Sequence, residues 1–200
     1  MHYFGKNLRL ARISLYASSA LLAALAGCEP PPEQLAEEVA SIPAVSMTAA
    51  TRRCGDNGFL TAQLFGSIER KIDWNARQVD CESMLRPRGE GMRLRFTGMA
   101  ADQEVSFIIA VPGLEQGNDG HELPAVVTLA VEGSGRFFST ANLDTCFADI
   151  EAQSGSDATA EKYDVSGTLF CVSALGEING EAAVSIPEMR FQSGVDWSDQ

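Results

Sequence analysis

The chain has 200 residues, with 15 Lys and Arg against 27 Asp and Glu, two His and five Cys. Hydrophobic residues make up 45% and charged residues 21%, the balance of a folded domain rather than of a disordered polyelectrolyte. A net charge of −12 has the wrong sign for nucleic acid, which is held by clustered Lys and Arg, and two histidines leave no room for most multi-His metal sites.

Residues 1–27 read as an export signal. Lys6, Arg9 and Arg12 are the only charges, and an apolar and small-residue run follows from Ile13 to Ala26. That run is shorter than the roughly 20 residues a bilayer-spanning helix requires. It ends in Leu25-Ala26-Gly27-Cys28. These residues, right after an apolar run, resemble the lipobox of bacterial lipoprotein precursors. The resemblance implies cleavage after Gly27, a thioether-linked diacylglycerol on Cys28 and a further acyl chain on its amine, with no other cofactor. Each buried methylene contributes about 0.8 kcal/mol, so two or three chains anchor a protein durably where one does not. Position 29 is Glu, whereas Asp there is the usual inner-membrane retention signal of this family. The resemblance therefore implies a membrane partner reached through lipid, at the outer membrane facing the periplasm.

Without the signal the chain keeps 12 basic and 27 acidic residues, a net charge of −15, and one histidine, His121. Such a surface is repelled by anionic lipid heads. Residues 28–53 open with Cys28-Glu29-Pro30-Pro31-Pro32-Glu33, and consecutive prolines favour an extended, semi-rigid polyproline II spacer. We read 28–53 as a tether and 54–200 as one domain, whose 147 residues are near the commonest domain size.

Four cysteines fall in that domain: Cys54, Cys81, Cys146 and Cys171. An even number in an exported domain reads as two disulfides, with three connectivities open. The spacing matches no zinc pattern. Proximity along the chain favours Cys54–Cys81 and Cys146–Cys171.

From residue 60 to 74 the even positions are Leu60, Ala62, Leu64, Gly66, Ile68, Arg70, Ile72 and Trp74, while most odd positions are polar. This period of two predicts a long half-buried strand, bent or bulged at Gly66. Met92, Leu94 and Phe96 alternate with Arg93, Arg95 and Thr97 in a second strand, and the nearly all-apolar Val105–Val111 reads as a central one. Ala125–Glu132 and Arg136–Thr140 flank Gly133-Ser134-Gly135 as a hairpin.

The segment 146–171 predicts its own register. If Cys146 faces Cys171 across an antiparallel hairpin, paired numbers sum to 317. One face then carries Cys146, Ala148, Ile150 and Ala152 against Cys171, Leu169, Gly167 and Val165, with Phe147 facing Phe170 on the other. Near the C-terminus, Val184 and Ile186 share one parity and Met189, Phe191, Val195 and Trp197 the other. A switch at Pro187 predicts a one-residue bulge or an edge position. About eight to ten strands, with turns every 8–12 residues and no sustained helical period, predict an all-β antiparallel sandwich or flattened barrel.

Chemistry is sparse. Any Ser-His-Asp or Cys-His arrangement would need His121, which sits in the turn-like Gly117-Asn118-Asp119-Gly120-His121-Glu122. Asp56-Asn57-Gly58 and Asn118-Asp119-Gly120 offer oxygen ligands but lack the twelve-residue calcium loop, and both are favoured turn sequences. Four of the 12 retained basic residues, Arg86, Arg88, Arg93 and Arg95, fall within ten positions. They form a candidate anion-binding patch, or else pair across strands with the surplus carboxylates. The chain as a whole is similar to uncharacterised proteobacterial lipoproteins, on its lipobox, four further cysteines and the phrase Gly135-Arg136-Phe137-Phe138-Ser139. The expectation is a lipid-anchored envelope lipoprotein, not an enzyme, whose β domain binds or scaffolds an envelope protein or glycan. A carboxylate-dependent hydrolase and an inhibitor of an incoming hydrolase are the alternatives.

Overall fold

A computed structural model describes Cys54 and residues 57–84, 90–155 and 161–198. Cys28, the tether 28–53, Asp56, Arg86 and Arg88 lie outside the described residues. Among the described residues there are twelve strands and no helix: β1 (Phe59–Gly66), β2 (Arg70–Asn75), β3 (Val79–Ser83), β4 (Met92–Ala100), β5 (Gln103–Val111), β6 (Gly120–Val131), β7 (Arg136–Ser139), β8 (Cys146–Gly155), β9 (Lys162–Cys171), β10 (Leu175–Glu177), β11 (Ala183–Ser185) and β12 (Met189–Asp196). The fold is all-β and antiparallel, a sandwich closed along part of its rim.

The period-two run from 60 to 74 is two strands, not one bent strand. Gly66 takes φ +99°, the chain reverses, and β2 pairs with β1 from Phe59–Asn75 to Leu64–Arg70. Paired numbers here sum to 134, an even value, so even residues face even residues and the alternation passes through the turn undisturbed. Leu60, Ala62, Leu64, Ile72 and Trp74 all end up buried on one face.

Hydrogen bonding runs β3-β4-β5-β6-β7-β10-β11-β1-β12-β9-β8, with β2 beside β1 and β8 also beside β6. That last contact makes the path from β6 to β8 return on itself. Two strands, β6 and β1, that each pair with two successive neighbours allow it. β7 and β8 both lie along β6, at Thr128–Val131 and Gly120–Ala125, and β11 and β12 both lie along β1. Between them β10 bridges β7 to β11, while β9 bridges β8 to β12. The interruption at Pro187 carries the expected one-residue slip: Gly66–Val184 sums to 250 and Ala62–Met189 to 251.

The layers meet face to face through aromatic side chains. Phe96 of β4 packs edge-on against Phe191 of β12 at 5.9 Å, and Trp74 of β2 against Phe107 of β5 at 5.8 Å. Edge-on packing sets the positive rim of one ring against the negative face of the other. Trp74 also donates its indole N–H to the Met99 carbonyl at 2.8 Å, which satisfies a polar atom inside an apolar core. Gly98 gives that ring its room, since a Cβ there would sit 2.8 Å from Trp74 Cε2.

Both disulfides pair as chain proximity favoured, Cys54–Cys81 and Cys146–Cys171. The first ties the N-terminal end of the domain to β3. Gly58 is fixed by the same close approach, because a Cβ there would fall on Cys54 Cβ, so the glycine of Asp56-Asn57-Gly58 answers a packing need. The second crosses β8 and β9 in the register that sums to 317, from Cys146–Cys171 to Ile150–Gly167. Beyond Ile150 the expected register fails. Ala152 pairs with Ser166 and Gln153 with Val165, a sum of 318. Glu151 is the extra residue of a bulge, Ala152 is exposed, and Gln153 takes the position opposite the buried Val165.

Candidate functional site

The outer face of β4 and β5 carries the described half of the arginine cluster. Arg93 and Arg95 share that face, opposite Ala110 and Ile108 of β5. Arg95 is committed to a cross-strand network: its guanidinium lies 2.7 Å from Glu132 Oε1 and 3.2 Å from Ser106 Oγ. Ser106 donates to the same Glu132 oxygen at 2.5 Å, and Thr97 closes the group at 2.9 Å from Ser106 Oγ. Ser106 is fully buried although it points away from the core, because these neighbours cover it. Hydrogen bonds from Ser106 and Arg95, with the arginine's charge, hold the Glu132 carboxyl below the usual carboxylate range against the opposing effect of burial. Arg95 is thus a sheet-face ion pair. Arg93 is half-buried and has no carboxylate partner among the described residues.

The segment from Gly117 into the start of β6 carries a fold irregularity. His121 is exposed, and its Nδ1 lies 3.7 Å from Asp149 Oδ1, which accepts the Glu122 N–H at 2.7 Å. Glu122 takes φ +50° where the β6–β8 register shifts between Gly120 and Leu123. No serine or cysteine nucleophile is hydrogen-bonded to His121 among the described residues. Of the large apolar side chains, Phe138 and Leu60 are fully buried, Phe137 is exposed, and Phe147 and Phe170 lie half-buried side by side at 5.7 Å.

A cavity lies beyond the start of β4 and the ends of β5 and β12. Glu90 and Gly91 precede β4, Pro112 to Gln116 follow β5, and Trp197 follows β12. Together they line a cavity of about 490 Å³, within the size range of small-molecule sites. Leu114 is its buried anchor, at 3% exposure, and turns the β5–β6 loop into the apolar interior. The bulge in β8 secures this loop from the other side. Gln153 Nε2 donates to the carbonyls of Glu115 (2.8 Å) and Asn118, and its Oε1 accepts the Gly117 N–H at 3.2 Å. Without the extra residue at 151, alternation would place Ala152 at that position and no amide would reach the loop.

The polar groups of these lining residues differ in their surroundings. Trp197 is more than nine-tenths buried, and its Nε1 has no acceptor, one of two such side-chain atoms among the described residues. A buried N–H without a partner is costly, and most native structures avoid it. On the rim, Glu115 Oε2 accepts from Asn118 Nδ2 at 2.9 Å and meets no cation, and Glu90 has no ion pair among the described residues. None of this was singled out in the sequence. Glu90, Glu115 and Trp197 are far apart in the chain, and only Trp197 carried a signal, as an apolar-parity residue.

A scan against protein-family models finds no match, and searches of curated proteins and of solved structures find none either.

Proposed function

We propose that this chain is a lipid-anchored lipoprotein of the bacterial envelope whose β domain is a binding module, with the cavity beside the start of β4 and the ends of β5 and β12 as its binding site. The address rests on Leu25-Ala26-Gly27-Cys28 after the apolar run, with Glu29 favouring the outer membrane. Two disulfides suit an oxidising compartment such as the periplasm. The observation that carries the binding role is the cavity itself, about 490 Å³ in volume with Leu114 in its wall and the exposed carboxylates of Glu90 and Glu115 in its lining. Its partner is an envelope protein or glycan.

A photo-crosslinking side chain placed at Gly113 tests this. A Cβ at Gly113 meets no atom within 4 Å, so the position tolerates the change. The control position is Asp102, exposed in the β4–β5 turn at the opposite end of both strands. Adducts formed in intact envelopes from Gly113 and not from Asp102 support the reading. Identical adducts from both positions, or none from either, contradict it.

A second reading has one observation in its favour. Glu90 and Glu115 both line the cavity, and a carboxylate pair is the minimum for glycoside hydrolysis. Envelope-glycan cleavage lost on Glu90→Gln or Glu115→Gln replacement would favour that hydrolase over a binding module.

A further inference from the structure

The geometry points to a homodimer in which β2 of one copy pairs, antiparallel, with β2 of a second copy. This pairing is independent of the cavity and of the envelope address.

Among the described residues two strands have a neighbour on one side only, β2 and β3. An edge strand presents a row of unpaired N–H and C=O groups, which is a template for another strand. Antiparallel residues alternate between bonding their neighbour and pointing away from it. Asn75, opposite Phe59 at the end of the β1–β2 ladder, donates its N–H to Gln78 Oε1 and accepts the Gln78 N–H at its carbonyl, so it points away from β1. By alternation Asp73 and Lys71 belong to the same outward set. Their side chains are 69% and 74% exposed, while Ile72 and Trp74 are buried on the other face. No proline or bulge interrupts β2, and its pairing with β1 is continuous from Asn75 to Arg70.

A second copy keeps buried face on buried face only if odd residues meet odd. Two such registers overlap five of the six residues of β2. Centred on Asp73, the ladder sets that carboxylate against its own copy. Centred on Ile72, it sets Lys71 opposite Asp73 of the second copy and Asp73 opposite its Lys71, two attractive cross-strand pairs with backbone bonds at each. The other edge does the reverse. The exposed residues of β3 are Asp80 and Glu82, so every aligned self-pairing sets acid against acid. β2 carries Arg70 and Lys71 against Asp73, so two copies of a chain with net charge −12 meet where the strand's own charge is not negative. Short edge strands bury little area, which makes the dimer weak and reversible, with a dissociation constant on the order of 100 μM.

Sedimentation velocity of the full chain in detergent, from about 10 to about 500 μM, reads the association. Lys71→Asp alone opposes two carboxylates at each pair and Asp73→Lys alone opposes two ammonium groups, so each should weaken the dimer about tenfold. An equimolar mixture of the two single variants restores opposite charges at both pairs, as does the double variant Lys71→Asp/Asp73→Lys. Both should recover the parent's affinity to within about threefold. The two positions are exposed, so thermal midpoints within about 3 °C of the parent's show that lost association is not lost folding. A parent that stays monomeric at about 500 μM overturns the proposal and leaves this edge to an extended segment of another protein. A dimer that either single variant forms as tightly as the parent overturns it too, because the copies then meet elsewhere. Failure of both the mixture and the double variant to recover association overturns the register, and the pairing with it.

Discussion

Replacing Gln153 with Ala removes the clamp between β8 and the cavity loop while leaving the core untouched. Three hydrogen bonds are lost, to the Glu115 and Asn118 carbonyls and from the Gly117 N–H. All three are solvent-accessible, so each contributes near the lower end of the net range, about 0.5 kcal/mol, or roughly 1.5 kcal/mol together. That corresponds to about a tenfold rise in the open population of the loop. Amide hydrogen exchange reads this directly. Gly117 should exchange about ten times faster in Gln153→Ala, and Asn118, whose N–H bonds the Glu115 carbonyl at 3.2 Å, should follow it. Core amides such as Phe107 and Leu129 should keep their protection to within about 1 kcal/mol of the parent. Exchange at Gly117 unchanged within about twofold would refute the clamp. Acceleration spread evenly over β5 and β6 would show that Gln153 supports global stability instead.

Three further expectations concern stability. Removing the Cys146–Cys171 bridge, which spans 25 positions, by the double Ala replacement should cost about 3.5 kcal/mol on the chain-entropy account, read as a lower urea midpoint; a loss under 1 kcal/mol would show that the hairpin register already confines the unfolded chain. Gly98→Ala should cost about 1–3 kcal/mol by forcing a Cβ against the Trp74 ring and the Gln78 carbonyl, and an unchanged thermal midpoint would mean that ring is free to shift. The Glu132 carboxyl is held low in the folded state, so it contributes stability above its unfolded pKa of about 4.3 that is lost as pH falls through the lower folded value. Glu132→Gln should accordingly lose less stability between neutral and acid pH than the parent, and parallel stability–pH curves would refute that role.

Local alternation carried much of the fold but could not count. The parity of residues 60–74 was right for every buried side chain and silent about the reversal at Gly66, because a hairpin with an even pairing sum preserves parity. The parity switch at Pro187 was legible because buried positions changed from even to odd, from Val184 and Ile186 to Met189 and Phe191. The bulge at Glu151 left no such trace: Ala152 looks like a core residue, and the polar Gln153 takes the inward position because it has loop carbonyls to bond. Of the arginine cluster, the sequence placed Arg93 and Arg95 on one face, but the partner of Arg95 is Glu132, just after β6 and 37 positions away. The cavity was hidden for the same reason. Its walls come from three separate loop regions, and an unpaired indole N–H exists only once the chain has folded around it.

The envelope assignment turns on the chemistry of Cys28, and metabolic labelling with radioactive palmitate tests it most directly. Parent chain and Cys28→Ser are expressed side by side in a bacterial host and resolved by gel. The account predicts label on the parent and none on the variant, with the parent sedimenting with membranes. An unlabelled parent, or a variant labelled as strongly as the parent, contradicts it.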